Sequence, residues 1–231
     1  MTDFLIIIPV RGGSKRLPGK HTRSLVGRNL LERTQDAIAR AGLEAPVLLT
    51  TDDEDIAARG RALGWQAPFL RPADLARDAA PTLPVVLHAL DWFHQEYGAD
   101  PMAILLLQAT SPLRSGAAIR GAAELFRSRD DIDAVIGVQR LGFGPNRVFH
   151  LDAVACLQPL STSDSHAALF VPNGTLYLVR SSALRFHGTL FPPAMLPFEM
   201  DSVASVDIDT EADWRLAQAL LSQPSAPLPA C

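Results

Sequence analysis

The chain has 231 residues, 48% of them hydrophobic and 20% charged, with 21 Lys and Arg against 25 Asp and Glu for a formal net charge of −4. That is enough apolar material for one sizeable core, and the acidic balance excludes a protein that coats nucleic acid through a general basic surface. No apolar stretch approaches the ~18 residues of a membrane-spanning helix. The two cysteines, Cys156 and Cys231, form no disulfide framework and the start of the chain lacks a signal-peptide layout, so the expectation is a cytoplasmic protein.

Residues 4–10 (FLIIIPV) read as a buried strand, a short apolar run ended by turn residues. A helix follows over 30–41, with Leu30, Leu31, Thr34 and Ile38 on one face and Gly42 as its stop. Residues 46–51 (PVLLTT) form a second strand, and 53–63 a helix with acids in its first turn, where the helix dipole favours them. The polar loop RPADLARDAAP leads to a helix over 82–97. AILLLQ (103–108) is the clearest buried strand, and ATSPLRS opens a helix over 116–127. A strand at 134–138 completes an alternation that predicts a doubly wound α/β domain with a largely parallel sheet. From 141 to 171 no period holds, which reads as an excursion of short strands packing on a second subunit. TLYLVR (175–180) returns to the sheet, SVDID (205–209) is a last strand, and 210–221 a last helix carrying Trp214, Ala217 and Leu221 on one face. The expected domain spans residues 1–222, and the Pro-rich 223–231 is a flexible tail. No internal repeat is present.

In an open α/β sheet, ligands bind beyond the carboxyl ends of the strands, and the unusual chemistry of this chain falls there. After the first strand come Arg11, Gly12, Gly13, Ser14, Lys15 and Arg16, closing with Lys20. Adjacent glycines let backbone amides approach an anion, and four basic residues add charge, which suits a polyphosphate. It is no P-loop: the spacing that ends in Gly19-Lys20 needs glycine at Ser14, and His21 stands at the hydroxyl position. No GxGxxG opens a helix here either. A solvated basic loop is the plainer alternative.

Asp207 and Asp209, at i and i+2 of an extended segment, share one face. Two carboxylates so close call for a cation between or beside them, and Mg²⁺ takes one or two carboxylates plus phosphate oxygens. The alternative is that one aspartate caps the last helix. Gln108 ends the strongest strand and would look into the cleft; Arg114 could meet a carboxylate bidentately or simply enter its helix in solvent. Asn173-Gly174 precedes a strand and reads equally as a turn. The six histidines show no metal-ligand spacing, and no GxSxG or Cys-His pairing asks for a covalent nucleophile.

IPVRGGSKRLPGK resembles the N-terminal signature of the acylneuraminate cytidylyltransferases, the CMP-sialic acid synthetases. RPADLARD is similar to that family's second nucleotide-site loop, LLLQATSPLR to its sugar-site segment, PNGTLY to its Asn-Gly element and SVDIDTEADW to its metal motif, five motifs in order along nearly the whole chain. The resemblance implies a Rossmann-like three-layer nucleotidyltransferase fold with a mostly parallel sheet and a small dimerisation arm. It also implies a homodimer that joins CTP to a nine-carbon 2-keto sugar acid and releases pyrophosphate. Arg11, the Gly12-Gly13-Ser14 backbone and Lys20 would hold the triphosphate, and Arg71 and Thr82 would lie near the cytidine. Gln108, Arg114 and Asn173 would serve the sugar acid, and Asp207 and Asp209 would bind Mg²⁺. Lys20, Arg11 and Asp209 would act most directly on the reacting phosphates, by positioning and charge stabilisation.

The sequence departs from the family at three places. His21 stands where asparagine is usual, Val171 stands where an arginine commonly precedes Pro172-Asn173, and the 141–171 arm is short. These departures open the choice of sugar acid: sialic, pseudaminic, legionaminic or octulosonic. A glycosyltransferase with an Asp-x-Asp metal site fits less well, since a transferase has no need of a triphosphate loop. A CTP-binding relative without activity is the remaining alternative.

Overall fold

The strand that opens the chain is buried on both faces because it lies inside the sheet. In the computed structural model, which describes residues 3–77, 80–151, 155–159 and 167–223, β1 (Phe4–Pro9) is followed by α1 (Leu30–Ala41), β2 (Val47–Thr50), α2 (Glu54–Ala62), α3 (Thr82–Tyr97), β3 (Ala103–Leu107), α4 (Gly116–Arg127) and β4 (Ala134–Arg140). Then come the short β5 (Phe149–Leu151) and β6 (Leu157–Pro159), β7 (Phe170–Arg180), α5 (Ser181–His187), β8 (Met195–Glu199) and α6 (Glu211–Ser222). The main sheet has the order β2-β1-β3-β7-β4-β8; β7 alone runs antiparallel to its neighbours, and β5 pairs with β6 as a separate hairpin.

Alternation along β1 divides the core. Phe4, Ile6 and Ile8 pack with Leu31 and Ile38 of α1, Ile56 of α2, and Ile119 and Phe126 of α4. Leu5 and Ile7 pack on the other face with Val86, Leu90 and Phe93 of α3 and Leu184 of α5. Helices therefore cover both faces, giving the expected three-layer α/β fold. Each fully buried Leu or Ile contributes roughly 1.5–3 kcal/mol to it.

The helix ends are set locally. The Asn29 side chain accepts from the Glu32 amide at 2.9 Å while Glu32 accepts from the Asn29 amide at 2.7 Å, and Gly42 stops α1 at φ 67°. Ser115 caps α4 through the Ala118 amide. Thr210 and Asp213 form a second capping box at α6.

Two sequence expectations need correction, the strand at 205–209 and the start of β7. Residues 205–209 form no strand: Ser205 ends a turn, its amide donating to the Asp201 carbonyl at 3.1 Å, no ladder follows, and the Ile208 amide reaches the Thr110 carbonyl at 2.9 Å. The edge strand β8 and the helix α5 were not anticipated, and β7 begins five residues before the expected Thr175. The arm over 141–171 contains the β5–β6 hairpin, although residues 152–154 and 160–166 lie outside the described part, as does the tail from 224. No described helix is long and apolar enough to cross a membrane.

A third apolar cluster ties the loop after β1 to α6. Leu17, Leu25 and Leu30 pack on Ile208, Trp214 and Ala217. Arg23 lies over the Trp214 ring at 4.4 Å and donates to both Glu211 oxygens, at 2.7 and 3.0 Å. The basic loop is thereby held against the segment that carries the two aspartates.

Candidate active site

β1, β2 and β3 are parallel and in register, so the residues that follow them collect at one edge of the sheet. β7 is antiparallel, yet its Leu176 pairs with Leu107, which puts Asn173 to Thr175 at that same edge. The cleft there, about 340 Å³, is lined by Arg11, Arg16, Lys20, His21, Arg71, Thr82, Gln108, Thr110, Asp207 and Asp209. Seven residues singled out in the sequence thus meet in one place: Arg11, Lys20, Arg71, Thr82, Gln108, Asp207 and Asp209.

The loop and the aspartate segment face one another across this cleft. Lys20, 7% exposed, donates from Nζ to the Ile208 carbonyl at 2.8 Å and to Asp209 Oδ1 at 3.1 Å, while Arg16 donates to Asp209 Oδ2 at 2.9 Å. The Thr210–Asp213 box caps α6, so Asp209 is not needed as a cap and its carboxylate turns to the cations. Asp207 and Asp209 both line the cleft while Ile208 between them is fully buried. The two carboxylates thus share the cleft, as expected, although no strand carries them.

Asp207 is the more strained of the pair. Burial, and then the Asp209 charge, push its carboxyl above the usual range, against a hydrogen bond with Thr110 that favours the ionised form. Its Oδ1 is buried with no hydrogen-bond partner. An orphaned carboxylate oxygen beside a second carboxylate is a donor set that fits a hard divalent cation.

The glycine loop is built differently from the expectation. The Gly12 amide donates to Asp52 Oδ1 at 2.9 Å rather than standing open, and a Cβ on Gly12 would fall 2.5 Å from Asp53 Oδ2. Gly12 thus lets the loop pass the α2 cap. Neither Gly13 nor the buried Ser14 is among the residues lining the cleft. Arg71 is a strut: buried, it donates to the Thr50 carbonyl and hydroxyl and to the Val10 carbonyl, joining the ends of β1 and β2. Burial lowers its pKa to about 10, opposed by Asp52.

Arg114 and Asn173 stand behind the cleft. Arg114, 4% exposed, donates from one terminal nitrogen to the Gln108 carbonyl at 3.0 Å and the Thr175 carbonyl at 2.8 Å, locking the end of β3 to β7. Asn173 accepts from the Thr175 amide and donates to Ser205, both at 3.0 Å, and Gly174, at φ 74°, lies under the Gln108 amide. The pair supports Gln108 from below.

The cleft also holds groups that sequence reasoning left out of the site. Arg16 belonged to the quoted basic run but was not singled out, and Thr110 follows Gln108 by two positions. His21, 6% exposed, is held neutral: burial, then the Lys20 and Arg11 charges, lower its pKa to about 3. Its position directly after Lys20 was the available signal.

The geometry has known counterparts. The cytidylyltransferase family model matches residues 5–219. The chain belongs to the cytidylyltransferase family. It is therefore a nucleotidyltransferase, and its resemblance to the acylneuraminate enzymes is borne out by relatives that match along nearly its whole length. It is 30% identical to a CMP-N,N'-diacetyllegionaminic acid synthase of Legionella pneumophila, over 94% of this chain and 96% of that protein. It is 31% identical to an N-acylneuraminate cytidylyltransferase of Escherichia coli, again over 94% of the chain but only 51% of that longer protein. A pseudaminic acid cytidylyltransferase of Campylobacter jejuni is 27% identical over 94% of this chain and 95% of its own. Among solved structures, a CMP:2-keto-3-deoxy-manno-octonic acid synthetase complexed with CTP superposes with a TM-score of 0.68 at 17% identity, over 96% of this chain and 99% of that one. The 4-diphosphocytidyl-2C-methyl-D-erythritol synthase of Anaerococcus prevotii gives 0.64 at 15%, with the same coverage of both chains. At those identities the two structures show the fold alone.

Proposed function

We propose that this cytidylyltransferase transfers the cytidylyl group of CTP to a nonulosonic acid, a nine-carbon 2-keto sugar acid, with release of pyrophosphate. The observation that carries this reading is the single cleft in which Arg11, Arg16 and Lys20 face Asp207 and Asp209, with Gln108 at its edge. The relatives named above as legionaminic, acylneuraminate and pseudaminic acid enzymes support the substrate class.

In this reading Arg11 and Lys20 hold the triphosphate and offset the negative charge that grows on the phosphoryl and leaving oxygens as the sugar hydroxyl attacks. Gly12, Gly13 and Ser14 shape the loop that presents them. Asp207 and Asp209 would hold Mg²⁺, which supplies Lewis-acid stabilisation of the phosphate oxygens. Arg71 and Thr82 border the cytidine, and Gln108, backed by Arg114 and Asn173, orients the sugar acid.

A recess of about 270 Å³ shares Thr82 and Gln108 with the cleft and is walled by Leu83, Leu106, Tyr177, Leu190 and Phe191. Apolar walls beside a polar amide suit an N-acyl substituent, which favours an acylated nonulosonic acid over an octulosonic one. Exposed Phe149, Leu151 and Leu157 on the β5–β6 hairpin support a homodimer, and a cytoplasmic setting suits a CTP-consuming reaction.

The test is pyrophosphate release from CTP, with Mg²⁺ and with EDTA, against a panel of nonulosonic and octulosonic acids. Metal-dependent release with a nonulosonic acid is expected. Turnover with an octulosonic acid alone would overturn the substrate class, and CTP binding without turnover across the panel would favour a non-catalytic binder.

A further inference from the structure

A second hollow, about 790 Å³, lies between α1, α4 and the 25–28 turn, and it has no lining residue in common with the cleft. Five arginines line it, Arg28, Arg33, Arg40, Arg114 and Arg120, against a single acid, Asp36. Asp36 is taken by Arg28 at 2.7 Å. Among the described residues the other four arginines form no ion pair: Arg33 donates to the Leu25 and Val26 carbonyls and Arg120 to those of Arg40 and Ala41. In a chain of net charge −4, four arginines outside any ion pair around one concavity form a positive local field, offset at Arg33 by Asp36 and Glu32.

Two features make this more than a solvated basic surface. The first turn of α4, capped at Ser115, opens on the hollow through Gly116 and Ala117, so the positive end of a twelve-residue helix adds to the field. Arg114 is buried, and its Nε and second terminal nitrogen have no hydrogen-bond partner. Burial alone lowers its pKa to about 10, with no acidic group opposing the shift. A desolvated guanidinium with no counter-charge borders the hollow, and an anion there offsets the cost of burying it.

We propose that this hollow is a second anion site, taking a phosphate-bearing ligand independently of the catalytic cleft. Guanidinium forks and a helix N-terminus are the groups that recognise phosphate oxygens. Arg114 also grips the Gln108 and Thr175 carbonyls, so an occupant bears on the elements that present Gln108 and Asn173.

The experiment is calorimetric titration of the full chain with inorganic pyrophosphate at low ionic strength, where exposed charges are least screened. Because the cleft, on the function proposed above, also takes pyrophosphate, the Arg16→Ala/Lys20→Ala variant is titrated beside the natural chain, together with Arg40→Glu, a change on an exposed residue away from the cleft. The natural chain is expected to bind two pyrophosphates and the double variant one. Arg40→Glu keeps the cleft's pyrophosphate and weakens the other by roughly tenfold or more. Titrating the double variant with CMP separates the two sources of the phosphate group, a free anion or the phosphoryl end of a nucleotide. No pyrophosphate on the double variant, or a second site on the natural chain whose affinity Arg40→Glu leaves unchanged, overturns the proposal; a single site on the natural chain that persists in the double variant faults the reading of the cleft instead.

Discussion

Lys20 Nζ lies 3.1 Å from Asp209 Oδ1, so a cation from the loop after β1 is fastened to a carboxylate 189 positions further along. The Ile208 carbonyl takes a second bond from the same nitrogen at 2.8 Å. The cleft therefore carries its positive and negative halves in a fixed relation before any ligand arrives, which is how preorganised electrostatic stabilisation works. Lys20→Ala should cut the rate by roughly 10²–10³-fold while the far-UV spectrum stays unchanged, because the Leu17–Trp214 cluster still holds the loop. Pyrophosphate release with the cognate sugar acid reads the outcome. A variant within threefold of the natural rate would remove Lys20 from the reaction.

His21 links the same cleft to pH. Its pKa falls from 6.5 in the unfolded chain to about 3 in the folded one through burial and the neighbouring Lys20 and Arg11 charges. Between those values the unfolded state binds the extra proton, so stability drops as pH falls from 6.5 toward 3 and is unaffected above 6.5. His21→Asn removes that proton site. Urea melts at pH 6.5 and pH 4.5 should show the natural chain losing about 1–2 kcal/mol more than the variant. Equal losses would mean that His21 is solvated.

What the sequence made legible depended on whether the cause was local. The ranges 30–41, 82–97 and 116–127 match α1, α3 and α4 because Asn29, Gly42, Gly98 and Ser115 end those helices through their own backbone and side chains. β8 was missed because MLPFE owes its strand character to pairing beside β4, at an edge where its side chains alternate between exposed and half-buried. The 205–209 segment fails as a strand because its apolar and polar residues alternate in sequence while no described strand lies alongside to pair with it. The aspartate pair does not depend on a strand, since Ile208 between them is anchored in the apolar cluster and both carboxylates reach the cleft. The basic loop was readable as clustered charge; that the Gly12 amide belongs to Asp52 and that Arg71 and Arg114 are struts are facts of tertiary packing.

Gly116 shows what such packing demands. A Cβ there would sit 2.6 Å from the Arg40 carbonyl carbon and 2.7 Å from the Ala41 nitrogen, both backbone atoms that cannot swing aside. Alanine is the better helix former by up to about 1 kcal/mol, so propensity alone would predict a gain. The clash between α1 and α4 should win, with Gly116→Ala destabilising the fold by about 1–3 kcal/mol in urea unfolding. A stabilised variant would show that the helix ends move apart freely.

Arg114 separates a structural strut from a substrate contact. Its bonds to the Gln108 and Thr175 carbonyls hold two strands together, while its charge is buried without a carboxylate partner. Arg114→Ala takes a donor from both carbonyls and leaves a void, a loss of about 2–4 kcal/mol. Arg114→Met removes the same charge and the same donors, yet it fills most of the volume, so it should be the more stable of the two by at least about 1 kcal/mol. In both variants the KM for the sugar acid should rise more than that for CTP, because Gln108 and Asn173 lose their backing while Arg11 and Lys20 keep theirs. Urea melts rank the stabilities and two-substrate kinetics separate the KM values. Equal stability of the two variants would mean that the site collapses around the void, and equal KM shifts would mean that Arg114 acts through the fold as a whole.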